Sequence, residues 1–390
     1  MPEALKNTTG TMVAFGDVVQ LSKERSQDPE ADGFERYIGL EHLEPSKLKV
    51  RSWGDISDGV TFTSVFRPRQ VLFGKRRAYQ RKVAVADFSG VCSGDIYVLK
   101  PKGDKLLPQL LPFICQSEPF YDYVISMSQG GLSPRVNWKA LAKYEFALPP
   151  LEEQRRIAEV LQAARALSES YGRLSDSVAQ TRLALVFEFE GQVPDDRMTK
   201  LGEVTHGIQA GKSPASPGRE ATEDEHGVLK VSAVGDWEYV ETENKAISTD
   251  AFIPDLEVKA GDFLVTRANA DPDSVGRTCI VKNTRSNLML SDKTWRLRFH
   301  DDHSYDPHAV LAWTKSRSFR SHIRNHLNGT DAKNISQARF LAGPIPKLDA
   351  AFILFSQRIA ELSHSVSLLS TRAHQARELE RRLLVEVFEQ

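Results

Sequence analysis

Twice along the chain a globular stretch ends on proline and is followed by about forty residues without another, the mark of a long helix. The first such point is Leu148-Pro149-Pro150-Leu151-Glu152-Glu153-Gln154-Arg155-Arg156-Ile157-Ala158-Glu159-Val160-Leu161, where Glu152 and Glu153 suit the positive end of a helix dipole. Beyond it Ile157, Leu161, Ala164, Tyr171, Leu174, Val178 and Leu185 alternate in steps of four and three, with Ser168 and Thr181 in the gaps. The second point is Ile345-Pro346-Lys347-Leu348, followed by Phe355, Ile359, Leu362, Val366, Leu369, Ala373, Ala376, Leu383 and Val387, interrupted by Glu380. Both series read as coiled-coil seams. The chain is a tandem repeat of globular unit plus long helix, with a period of roughly 190 to 200 residues.

A chain of 390 residues with 41% apolar content has enough material for two or three cored domains. No apolar run approaches a membrane span, and Met1-Pro2-Glu3 opens no signal peptide, so the expected location is cytoplasmic. Cys92, Cys115 and Cys279 are few and widely spaced, which suits a reducing compartment better than a disulfide frame or a zinc site. The net charge of −1 argues against indiscriminate coating of nucleic acid, but the charge is unevenly placed. No acid stands between Asp58 and Asp87, where Arg67, Arg69, Lys75, Arg76, Arg77, Arg81 and Lys82 fall. Between Pro307 and Leu348, the cations Lys315, Arg317, Arg320, Arg324, Lys333 and Arg339 stand against Asp331. Either cluster alone could be a solvated face. One per repeat is what two DNA-reading units need, because phosphate neutralisation supplies affinity and orients the side chains that read bases.

Each unit reads as α+β with local hairpins. In the first, Tyr37–Leu40, Gly59–Phe62, Val71–Gly74, Val83–Ala86 and Ile96–Leu99 are predicted strands, with helical pieces across 105–129. In the second, Val228–Val231, Phe263–Thr266, Thr278–Val281 and Thr294–Leu297 are strands, and Ala309–Leu327 is helical. The default packing for the long helices is against each other, antiparallel. Gly172 reads as a place of close approach. Val186, Phe187, Phe189, Leu384 and Phe388, off the seam, are left for other subunits.

Catalytic signals are weak. Gly207-Ile208-Gln209-Ala210-Gly211-Lys212-Ser213 has three residues between its glycines where a phosphate loop needs four, and Pro214 blocks the helix that should follow. It reads better as a loop presenting Gln209, Lys212 and Ser213 to DNA. Asp255, Glu257 and Lys259 lie on one short stretch, without the separate strand that a nuclease metal clamp requires. His322 and His326 lack a third ligand and an intervening Glu, and His300 and His303 flank Asp301-Asp302 without a helical pair. No catalytic residue, metal ligand or cofactor is expected.

The string LPPLEEQRRIAEVL, set between globular segment and helix in a two-fold repeated chain, resembles the specificity (S) subunit of type I restriction-modification enzymes. The segments VLFGKRRAYQRKVAVADF (71–88) and GDFLVTRANADPDSVGRTCIV (261–281) are similar to equivalent pieces of its target-recognition domains. Leu132–Trp138 and Asp331–Ser336 resemble each other, each a little before its proline-led helix. Pro346-Lys347-Leu348-Asp349 departs from the pattern, lacking the Glu-Gln pair of the first helix.

The resemblance implies two α+β target-recognition domains, 1–147 and 193–344, each followed by a long helix (148–192 and 345–390). The helices would pair as an antiparallel coiled coil with pseudo-two-fold symmetry. Each domain would read half of a bipartite site on double-stranded DNA, and the helices would set the spacer and dock two methyltransferase subunits. Restriction (translocase) subunits would be optional further partners, and no membrane is involved. The candidate DNA contacts are Arg67, Arg69, Lys75, Arg76, Arg77, Tyr79 and Arg81, then Gln209, Lys212, Ser213, Arg267, Asn269, Arg277, Lys293 and Lys333. The candidate subunit interface is Leu151, Glu153, Gln154, Ile157, Leu161, Phe187, Phe355, Ile359, Leu362 and Phe388. The competing readings are a nuclease or methyltransferase acting alone, and a coiled-coil scaffold with no DNA role.

Overall fold

The computed structural model describes residues 10–45, 47–300 and 305–388, so His303 and the two aspartates before it lie outside the described residues. The chain divides into two compact units, residues 1–172 with 371–390, and residues 173–370.

The first unit is built on an antiparallel sheet whose strands lie in the order Val19–Leu21, Ile96–Pro101, Val71–Gly74, Val83–Val85. Its central strands read as continuous apolar runs because both faces are covered. The two-residue period sends Val71, Phe73, Val83 and Leu99 into a core shared with the helices, and Leu72, Ala84 and Val98 into a second core. That second core lies against a sheet ordered Gly54–Asp55, Arg36–Ile38, Gly90–Cys92, Ser64–Phe66. The predicted strand at Gly59–Phe62 is instead a turn, with Gly59 at φ 83°, and the strand begins at Ser64. Pro112 sits in the first turn of the helix Leu111–Ile114, where a missing N–H breaks no bond. Thr11–Ala14 pairs antiparallel with Glu145–Leu148, the strand that leads into Pro149.

The second unit repeats the plan. Its sheet is ordered Thr205–Ala210, Thr294–Phe299, Phe263–Thr266, Thr278–Ile280, again antiparallel throughout. Phe263, Val265, Trp295 and Leu297 face the helices, while Leu264 and Cys279 face a smaller core. The long helix expected over 309–327 is two helices, Pro307–Trp313 and Arg317–Asn325, because Ser316 caps the second by accepting from the Phe319 N–H at 3.2 Å.

The two long helices are Leu151–Glu190 and Ala350–Phe388. In each unit, half of one runs antiparallel to half of the other. In the first unit Arg165 meets Glu380 and Ser168 meets Ala373. In the second, Ser175 meets Val366, Arg182 meets Ser363, and Phe189 stacks on Phe355 at 4.4 Å. Most of the second helix's seam lies where its heptads put it: Phe355, Ile359, Val366, Ala373, Ala376, Leu383 and Val387 are buried, while Leu362 and Leu369 are half-buried and Glu380, the expected interruption, is itself buried.

The seam of the first helix shifts after Ser168. Leu174 is 52% exposed, and between Ser168 and Arg182 the buried positions are Ser168, Ser175 and Arg182, seven apart and all polar, before apolar burial resumes at Val186 and Phe189. Small hydroxyls let the helices approach and satisfy themselves on facing groups, so apolar spacing alone points to the wrong face. Gly172 is not a close-approach site, since a Cβ there would meet nothing within 4 Å. Val186 and Phe189 are core residues of the second unit, and Leu384 and Phe388 pack against the core of the first.

Candidate nucleic-acid interface

In the first unit, the turn after Val71–Gly74 is stitched to the loop 129–136. The Val136 N–H donates to the Lys75 carbonyl at 3.0 Å, the Arg77 N–H to the Pro134 carbonyl at 2.7 Å, and Gln129 and Arg135 exchange backbone bonds that close the loop. Asp95 holds the cations in place, accepting from Arg76 at 3.2 Å and from Arg135 at 3.0 Å. Burial would raise the Asp95 carboxyl, but these two guanidinium groups outweigh it and keep it below the usual carboxylate range. Arg77 and Arg81, flanking the turn Ala78–Gln80, adopt left-handed backbone at φ 52° and 54°, a strained conformation found where function fixes a loop. The result exposes Tyr79 by 54% beside Arg76 and Arg77, and exposes Leu132 by 97% at the tip of the neighbouring loop.

The second unit makes the same junction. The Ile335 N–H donates to the Arg267 carbonyl at 3.1 Å, and Asn328 and Asn334 exchange backbone bonds as Gln129 and Arg135 do. Ala268–Asn269 pairs with Lys333–Asn334, and the Arg267 N–H donates to the Lys293 carbonyl at 2.8 Å, so Arg267, Asn269, Lys293 and Lys333 come together. Gln209 is held nearby in sequence register with Arg296, its Oε1 accepting from Arg296 at 2.8 Å and Arg298 at 2.7 Å, its Nε2 donating to the Asp255 carbonyl. The Ser213 hydroxyl donates to Asp292, and the Lys212 N–H reaches the Leu290 carbonyl at 3.1 Å. The exposed Arg298 was not among the sequence candidates, since it lies on a strand outside both basic clusters.

Other candidates are placed elsewhere. Arg67 pairs with Glu24 and lies over Phe34, and the Arg69 N–H donates to the Ala86 carbonyl, so neither joins the 75–79 turn. Arg81 is bound through both its terminal nitrogens to Glu118 and faces the helices, which removes it from the exposed set. Arg277 stands 3.8 Å from Asp271. The carboxylate of Glu257 accepts from the Asn287 N–H, and the His326 ring bonds the His322 carbonyl, both ordinary structural roles. Among the described residues no cluster of His, Cys, Asp or Glu could hold a metal, and no helix is long and apolar enough to cross a membrane.

Four of the ten candidate interface residues lie inside the chain's own cores. Ile157 and Leu161 belong to the first core, Phe355 and Ile359 to the second, and Leu362 and Phe388 are half-buried. Gln154, 1% exposed, accepts from the Leu107 N–H at 2.9 Å and donates to the carbonyls of Lys105 and Pro149, both at 2.8 Å. It ties the helix start to its own globular unit. Glu153 pairs with Arg156, and the Phe187 ring lies under Arg317 at 4.6 Å. Leu151, at 38% exposure, stays accessible, and Val160 and Leu167, seven apart on the same helix, add an exposed apolar row that heptad reading passed over.

Residues 16–175 match the family described as type I restriction modification DNA specificity domain. The EcoEI type I restriction enzyme specificity subunit of Escherichia coli is 47% identical over 103 residues, 26% of this chain and 17% of that protein. The EcoDI specificity subunit of the same species is 30% identical over 123 residues, 31% of this chain and 27% of that one. The matches thus span well under two thirds of these relatives' lengths. In fold, the chain is similar to the type I restriction-modification S subunit from M. genitalium, with a TM-score of 0.56 and 13% identity over 98% of this chain and 97% of that one. It is also similar to a chain from a study of complex assembly and conformational transition in the type I R-M system, with a TM-score of 0.51 and 20% identity over 98% of both.

Proposed function

We propose that this chain is a type I restriction-modification specificity subunit, the non-catalytic DNA-recognition member of such a complex, with residues 1–147 and 193–344 as its two target-recognition domains. The observation that carries the reading is the recurrence of one junction, Lys75 carbonyl to Val136 N–H and Arg267 carbonyl to Ile335 N–H, each presenting basic and amide side chains on a fixed pair of loops. Two copies of one reading device in one chain suit a bipartite site. Because Tyr79 and Leu132 in the first have Asp271 and Asp331 at the matching steps of the second, the half-sites differ in sequence. Arg76, Arg77 and Arg135 in one unit, and Arg267, Asn269, Arg298 and Lys333 in the other, meet phosphates and base edges.

The long helices set the spacer. At 1.5 Å per residue, 40 residues give a helix of about 60 Å. Two methyltransferase subunits dock on the exposed apolar rows beginning at Leu151, Val160 and Leu167, and carry the adenine-methylating chemistry; restriction subunits join the same assembly.

The test is to replace residues 1–147 with the equivalent unit of a relative and map methylated adenines in a host carrying the methyltransferase. One half-site should change and the other stay. A change in both halves would overturn the modular reading, and unaltered methylation would overturn the recognition role.

A further inference from the structure

In the first unit a cavity of about 220 Å³ opens where the globular part meets both long helices, bounded by Arg81, Gln116, Tyr121, Arg165, Arg377 and Glu380 among others. Its walls are unusual in what they leave unmade. The Arg165 guanidinium is fixed by Glu380, which accepts from Nε at 2.8 Å, and by Gln116, whose Oε1 accepts from Nη2 at 2.7 Å. Those bonds turn the remaining groups, Arg165 Nη1 and Gln116 Nε2, away from their partners, and both are buried with no acceptor among the described residues. The Tyr121 hydroxyl is a third buried group without a partner, on a side chain only 1% exposed. Burial pushes the Tyr121 phenol up, so it stays neutral and able to donate. Three residues that line one cavity thus each carry a buried donor with no acceptor, an arrangement that is unfavourable unless something accepts from them.

The second unit serves as an internal control. Counting from the paired helices Glu118–Ser126 and Arg317–Asn325, the positions of Gln116 and Tyr121 are taken there by Lys315 and Arg320. Both find acceptors in their own chain: Lys315 in Asp236 at 2.6 Å and the Thr278 carbonyl at 3.0 Å, Arg320 in the Asp273 carbonyl at 2.9 Å. The repeat can therefore satisfy these positions internally, and the first unit does not.

We propose that the cavity bounded by Gln116, Tyr121, Arg165 and Arg377 is a binding site for a small oxyanion of the phosphate class, either free or as the phosphate of a nucleotide. All three open positions are donors, so the fitting occupant is rich in acceptors. Arg81, Arg165 and Arg381 are paired with Glu118, Glu380 and Glu378, which leaves Arg377 as the surplus cation, so the fitting occupant is an anion. Charge-assisted bonds from guanidinium suit phosphate geometry in particular. An occupant there touches the globular part and both helices at once, and so fastens the recognition domain to the helix pair.

The full chain is titrated with inorganic phosphate by calorimetry and thermal unfolding, at ionic strength held constant with chloride, beside Tyr121→Phe and Arg377→Gln. Saturable one-to-one binding is expected, at least tenfold weaker in both variants. In phosphate-free buffer Y121F should be as stable as the parent or more so, because it removes a buried hydroxyl that has no partner; a loss of stability there would mean the hydroxyl is satisfied within the chain and would overturn the proposal. So would protection by phosphate no greater than by chloride, or equal binding by parent and Y121F. A second titration with AMP separates the sources: tighter binding than phosphate marks a nucleotide site, equal or weaker binding a free-anion site.

Discussion

Replacing Gln154 tests whether this glutamine faces a partner or its own domain. Its amide makes three bonds inside the first unit, to Leu107, Lys105 and Pro149. Met keeps the volume and removes all three. At about 1 kcal/mol per bond, with the Leu107 N–H left unpaired, the loss for Gln154→Met is about 2–4 kcal/mol. Gln154→Ala adds a small cavity and should cost about 1 kcal/mol more. Because two units need not unfold together, a probe resolved residue by residue, such as the fluorine NMR signals of Trp53 and Trp138 in fluorotryptophan-labelled chain in urea, reports the relevant transition. Both variants should shift its midpoint and leave that of the second unit in place. If Q154M unfolds like the parent in isolation but fails to assemble with a methyltransferase subunit, Gln154 is an interface residue and the internal clamp has no energetic importance.

Other perturbations follow from the same geometry. Asp349 caps the second long helix by accepting from the Phe352 N–H at 2.9 Å, so Asp349→Ala should cost about 1 kcal/mol in the second unit. That bond, with Arg197 adding to it, holds the Asp349 carboxyl below its ordinary 3.8; the cap's contribution is therefore present above that value and is lost as pH falls through the depressed one, so the gap in Tm between parent and variant should narrow as the solution is acidified below 3.8. Phe355→Ala removes a ring buried to 2% and stacked on Phe189, and should destabilise the second unit by about 3–5 kcal/mol in urea unfolding; a loss under about 1 kcal/mol would mean that the helix pair is dispensable to that core. Arg77→Ala should weaken DNA binding by the assembled complex at all sequences and lower the salt slope by about one if Arg77 meets a phosphate, or relax one base position if it reads an edge; binding unchanged in both respects would place the DNA face elsewhere.

The strands and the second helix were legible in the residues because there apolarity and burial coincide. Val71–Gly74 and Phe263–Thr266 are buried on both faces, and Phe355, Ile359 and Val366 keep a single phase. Legibility fails where the helices touch through polar atoms. Ser175 and Arg182 are buried while Leu174 is exposed, an inversion that only the facing Val366, Ser370 and Ser363 explain. The basic cluster does not show in sequence which of its cations share a turn: Asp95, outside the cluster, gathers Arg76 and Arg135, and Glu118 binds Arg81. Such ion pairs leave no periodic trace.

The first unit is discontinuous in sequence, since residues 1–172 are completed by 371–390. Arg165 and Glu380 are 215 positions apart, and joining segments so distant costs about 5 kcal/mol of loop entropy in a flexible chain. A nascent chain emerging from a ribosome therefore presents the whole of the second unit before Leu383 and Val387 exist to close the first. If the intervening 173–370 fold first, they shorten the effective loop and lower that entropy cost. Folding order then runs against chain order, and the amino-terminal unit is the last to mature.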